Sequence, residues 1–83
     1  MTMPVVFRYK GYRFFFYSNE GNPREPLHIH VRKGEAVAKL WLEPFPEVAE
    51  SYKLSAPELR ELLNVAIEKR DEIERCWNEY FNG

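Results

Sequence analysis

The sequence predicts an α+β fold: a small antiparallel sheet of about four strands, set as two hairpins, packed against one long C-terminal α-helix. Three observations carry this prediction. The first half of the chain repeats short runs of alternating apolar and polar residues, interrupted by Lys-Gly pairs at 10–11 and 33–34. The last third changes to apolar residues at helical spacing behind a Ser-x-x-Glu start signal. Pro44 and Pro46 mark the change of regime, since proline cannot donate to a strand ladder. The chain reads as one domain over 1–83. A core of this size buries only about 60–65% of the unfolded surface, so an oligomeric partner would add to its stability.

Residues 5–9 and 12–17 read as strands joined by Lys10-Gly11, with glycine supplying the positive φ of a tight turn. Val5, Phe7, Tyr9, Tyr12, Phe14 and Phe16 form the apolar set of this hairpin, with Val6, Arg8, Arg13, Phe15 and Tyr17 across from it. Residues 18–26 are a polar loop dense in turn formers. Residues 27–32 and 35–42 form the second hairpin around Lys33-Gly34. There Leu27, Ile29 and Val31 share a face with Ala36, Ala38, Leu40 and Leu42. His28, His30 and Arg32 share the other with Glu35, Val37, Lys39 and Trp41. A nine-residue loop closed in register would pair the apolar set of one hairpin with the polar set of the other, so a bulge or a non-adjacent strand order is required. Residues 48–54 are irregular or a short strand.

Ser55, Pro57 and Glu58 supply an N-cap, a first-turn proline and the third residue of a capping box. Leu59, Leu62, Leu63, Ala66, Ile73, Trp77, Tyr80 and Phe81 then recur on one side of a helix over about 56–81. About 25 helical residues reach roughly 37 Å, against about 23 Å for the strands. The helix must overhang the sheet, kink, or pack against another molecule.

A composition that is 45% hydrophobic and 30% charged excludes a disordered chain. Cys76 is the sole cysteine, which excludes an internal disulfide and a cysteine-based zinc knuckle and points to a reduced, cytoplasmic setting. No apolar run approaches the length of a membrane span, and the first residues lack the apolar stretch of a secretion signal. The net charge of −1 conceals a split: residues 1–42 carry seven Lys/Arg against three acids (+4), and residues 43–83 carry five against ten (−5). The sheet is therefore basic and the helix acidic. The chain has no glycine-rich phosphate loop, nucleophile elbow or internal repeat.

The only two histidines, His28 and His30, stand two apart on one strand and project from the face opposite Leu27, Ile29 and Val31. The pair supports three readings. Two imidazoles can ligate a divalent metal, with Glu20, Glu25 or Glu35 as third ligand, although nothing in the sequence requires a cofactor. Beside Arg32 or Arg13 they can act as an acid–base pair on a phosphodiester. Or they are ordinary strand residues that hydrogen-bond the loop. The same face gathers Arg13, Arg32, Lys39 and Trp41 with Phe15 and Tyr17, a basic and aromatic surface of the kind that binds single-stranded nucleic acid. The near-zero net charge argues for packing under 43–54 instead. Trp77, Tyr80 and Phe81, on a helix that outruns its sheet, form a candidate surface for a protein partner or a second copy.

The run Gly11–Glu20, then Glu25-Pro-Leu-His-Ile-His-Val31, then Ala38-Lys-Leu-Trp-Leu-Glu-Pro44, and finally Trp77-Asn-Glu-Tyr-Phe81 resemble the bacterial family catalogued as domain of unknown function 4160. One departure is Leu27, where that family more often has a second proline. The resemblance covers nearly the whole chain. It implies a small cytoplasmic bacterial protein, often encoded beside a second small protein in a toxin–antitoxin-like pair, with a role for His28 and His30. The sequence thus predicts first a non-enzymatic partner-binding or regulatory module with a His-x-His ligand face. A small phosphodiesterase or ribonuclease-like hydrolase using His28 and His30 is the alternative.

Overall fold

The computed structural model describes residues 5–17 and 25–82. Five strands form one antiparallel sheet in chain order: β1 (Val5–Tyr9), β2 (Tyr12–Phe15), β3 (His28–Lys33), β4 (Ala36–Trp41) and β5 (Glu47–Tyr52). Two helices follow, α1 (Ala56–Glu68) and α2 (Arg70–Asn82). The α+β class and both hairpins are as predicted. The count of strands is five rather than four, and the single helix expected over 56–81 is broken at Lys69.

Both hairpin turns follow from left-handed residues. Lys10 and Gly11 have φ of 48° and 83°, the all-positive signature of the turn whose twist matches that of its strands. In the second hairpin Lys33 pairs with Ala36, so the turn is Gly34-Glu35 rather than Lys33-Gly34. There only Gly34 is left-handed, with φ 60°. The move changes the pairing by an even number of residues, so no side chain changes face.

The register conflict expected between the hairpins does not arise. β2 ends at Phe15 rather than 17, and Phe14 lies opposite Val31 and Phe15 opposite His30. This pairing is offset by one residue from the in-register closure of a nine-residue loop. Apolar meets apolar on adjacent strands with no bulge in that ladder. Irregularities fall on the two outer ladders instead. Val6 is the extra residue in β1, between the pairs Val5–Phe15 and Phe7–Phe14. Ala49 is the extra residue in β5, between Lys39–Glu50 and Leu40–Val48. The first of these corrects the predicted core set: Val6 packs against the core and Val5 is 43% exposed.

One face of the sheet is covered by the helices. Phe14, Phe16, Leu27, Ile29, Val31, Leu40 and Leu42 meet Leu62, Val65, Ala66, Ile73 and Trp77 in a single buried cluster. Full burial of each such large side chain contributes about 1.5–3 kcal/mol, which makes this layer the main source of stability. α1 begins as predicted. The Ser55 hydroxyl accepts from the Glu58 amide at 3.3 Å, and the Glu58 carboxylate accepts from the Ser55 amide at 2.8 Å. Neither glycine nor proline causes the break at Lys69. Arg70 donates to the Leu42 carbonyl and to the Glu43 carboxylate, both at 2.9 Å, which ties the helix junction to the end of β4. Asp71 and Glu72 then occupy the first turn of α2, where the helix dipole favours acids. Each 13-residue helix is about 20 Å long, the length of a six-residue strand. Among the described residues, no helix is long and apolar enough to cross a membrane.

Candidate functional site

The face of the sheet away from the helices is crossed by one row of side chains set by register: Arg8, Arg13, Arg32, Val37 and Tyr52 on successive strands. Three arginines thus stand directly opposite one another, with the paired residues of neighbouring strands about 5 Å apart. All three are exposed. The Arg32 Nε donates to the Gly34 carbonyl at 3.1 Å. Among the described residues, no acid lies within ion-pair distance of any of the three. Like charges directly opposite destabilise a sheet.

The next row holds Phe15, His30, Lys39 and Glu50. His30 is half-buried, stacked on Phe15 at 5.7 Å between ring centres and edge-on to Tyr17 at 4.6 Å. The Lys39 ammonium lies 4.3 Å above the Trp41 ring and 3.4 Å from the Glu25 carboxylate. Between the two rows a groove of about 250 Å³ opens over β4 and β5, lined by Tyr17, His30, Val37, Lys39, Glu50 and Tyr52. Tyr52 is 59% exposed, and Glu50 forms no ion pair among the described residues.

His28 is placed differently from His30. It is fully buried, packed edge-on against Trp41 at 5.1 Å and against Trp77 of α2 at 5.2 Å. Its Nδ1 lies 2.9 Å from the Pro26 carbonyl. A carbonyl only accepts, so the proton of this contact is on Nδ1. The two imidazoles are 5.2 Å apart, but only His30 reaches the open face. His28, expected there as a ligand-binding residue, is a core residue by burial, because Trp77 reaches its edge from the helical layer.

The remaining predicted residues divide. Arg13, Arg32 and Lys39 do share one face with Trp41, which caps His28. Glu25 is 4.0 Å from His28 Nδ1 and engages Lys39, whereas Glu35 pairs with Lys53 at the rim of the sheet. Glu20 lies outside the described residues. Among those residues, no three His, Cys, Asp or Glu side chains converge as a metal-binding group. Trp77 is 3% exposed and packs edge-on against Phe16 and Phe81, so of the predicted aromatic surface on α2 chiefly Tyr80, at 40% exposure, remains outside. Cys76 is half-buried, and burial followed by the nearby Glu79 and Glu72 pushes its thiol above the ordinary range, which makes it a poor nucleophile. Glu50 and Tyr52 are the site residues that the sequence reading missed. Period-two spacing does not find them, because the Ala49 bulge turns Val48 toward the core and Glu50 and Tyr52 toward the open face.

No curated protein and no solved structure matches the chain. The family model described as "Domain of unknown function (DUF4160)" matches residues 11–78, the segment that contains β2 to β5, α1 and most of α2. The chain therefore belongs to the DUF4160 family.

Proposed function

We propose that this protein is a small non-enzymatic binding module whose open sheet face docks an anionic partner. The role is that of the regulatory, partner-dependent member of a two-gene, toxin–antitoxin-like pair. The observation that carries the reading is the row Arg8–Arg13–Arg32, three cations aligned by register and facing solvent without an acid among the described residues beside them. Lys39, one row away, adds to the positive potential of this face while its ammonium rests between Glu25 and the Trp41 ring. Hydrolysis by two imidazoles gains no support, because His28 is fully buried and packed edge-on against Trp41 and Trp77. Titration with inorganic polyphosphate, followed by amide NMR, tests the reading. Shifts should cluster on Arg8, Arg13, Arg32 and Lys39 and vanish in an Arg13→Glu/Arg32→Glu variant. Shifts confined to the helices, or none at all, overturn it.

A further inference from the structure

We infer that the anionic partner is single-stranded nucleic acid, with phosphates on the arginine row and a base seated in the adjoining groove; this rests on the anion-docking reading above. The two features are continuous in space. Arg32 pairs across the sheet with Val37, Val37 lines the groove, and Tyr52 pairs with Val37 from the far side. A strand of nucleic acid that lays its backbone along Arg8, Arg13 and Arg32 arrives at the groove within one residue spacing.

The groove has what a base needs and an acidic peptide does not. Tyr52, 59% exposed, lines it together with Tyr17 and His30, so three rings border the same space. Flat π-surfaces of this kind hold bases by stacking, independent of sequence. Glu50 projects into the same space as a carboxylate, which only accepts hydrogen bonds. It would repel an acidic peptide and receive the exocyclic amino group of a base, as carboxylates do for cytosine. Lys39, its cross-strand neighbour, is turned to Trp41 and Glu25 and leaves the carboxylate available. The net charge of −1 does not oppose the assignment, because seven of the thirteen acids, Glu58, Glu61 and Asp71 among them, sit on the helices, and the helices cover the opposite face of the sheet.

Fluorescence anisotropy with labelled oligocytidine and oligouridine tests this, with oligoglutamate as the competing polyanion. Three phosphate contacts give a log–log salt slope near ~2, or about a 20-fold loss of affinity from ~50 to ~200 mM salt. Arg13→Ala should lower that slope by about 0.7. Tyr52→Ala should weaken binding roughly tenfold and leave the slope unchanged. Oligocytidine should bind more tightly than oligouridine, and Glu50→Gln should narrow the gap. All three positions are exposed, and an unchanged circular dichroism spectrum certifies the fold of each variant. Oligoglutamate binding as tightly as the oligonucleotides, with the same dependence on Arg13, overturns the nucleic-acid assignment and leaves the anion-docking face standing. Oligonucleotide binding unaffected by Tyr52→Ala overturns the seated base. Absence of binding by every polyanion at low salt removes both this inference and the function on which it rests.

Discussion

Replacing His28 separates a structural histidine from a functional one, and its cost can be worked from its contacts. The residue is 0% exposed, its ring touches Trp41, Trp77 and His30, and its Nδ1–H donates to the Pro26 carbonyl at 2.9 Å. Truncating a buried aromatic ring to alanine costs about 3–5 kcal/mol, and an imidazole, smaller than a phenyl ring, belongs at the low end. Loss of the hydrogen bond adds about 1 kcal/mol, little more, because Pro26 is exposed and water can replace the donor. His28→Ala should therefore lose about 3–4 kcal/mol. A chain of 83 residues has a total stability of only about 4–12 kcal/mol, so the loss is a large share of it. Two further variants divide the cost. His28→Phe keeps the ring and loses the donor, and should cost about 1 kcal/mol. His28→Asn keeps a donor near Nδ1 and loses the ring, and should cost about 2–3 kcal/mol. Urea unfolding followed by tryptophan fluorescence is well suited, since the chain has two tryptophans and both pack on this ring. With a slope near ~1.5 kcal/mol/M, His28→Ala should lower the midpoint by about 2 M. An asparagine variant more stable than the phenylalanine one would show that the hydrogen bond, not packing, holds His28. A loss below about 1 kcal/mol for alanine would refute the burial reasoning altogether.

Arg13→Thr should raise stability by a few tenths of a kcal/mol in low salt, because it removes two like-charge cross-strand neighbours, and the gain should shrink as salt is added. A urea series at two ionic strengths checks both the sign and the salt dependence. Ser55→Ala should cost about 1 kcal/mol through the lost cap of α1, seen as a lower urea midpoint with an unchanged slope. The carboxyls of Glu58 and Glu61 are both held below the ordinary carboxylate range, Glu58 by the Ser55 amide and then its hydroxyl, Glu61 by the Tyr9 hydroxyl and then Lys10. A depressed folded-state value stabilises above the unfolded carboxylate range, and that stabilisation is lost as the pH falls through and below it. Stability should accordingly fall on acidification from the ordinary glutamate range downward, and Ser55→Ala should flatten the fall. Midpoints measured at stepped acidic pH give the comparison.

The sequence makes local features legible and leaves contingent ones hidden. Lys10-Gly11 and the Ser55–Glu58 box follow short-range rules and appear as read. β5 escapes because Glu47-Val-Ala-Glu-Ser-Tyr52 buries only Val48 in part; its strand character comes from pairing with β4, not from its own pattern. The break at Lys69 lies in a run of good helix formers, and only Arg70, reaching 28 residues back to Leu42, explains it. Val5 and Val6 are chemically identical, so no pattern can say which one the bulge turns inward. Alternation puts His28 on the same side of β3 as His30, yet Trp77, 49 positions away, packs against it. The arginines of the open face are legible as a set. Their alignment in one row depends on a register that spans three strands.

The two bulges have a consequence for the sheet's borders. Each extra residue sits on an outermost strand, Val6 on β1 and Ala49 on β5, while the inner ladders β2–β3 and β3–β4 are regular. A bulge interrupts the repeat of amide and carbonyl groups and twists the strand away from a flat neighbour. An incoming chain would therefore meet a border whose spacing it cannot match over its full length, with Arg8 on one side and Glu47 and Glu50 on the other. Margins out of step in this way oppose edge-to-edge extension of the five described strands.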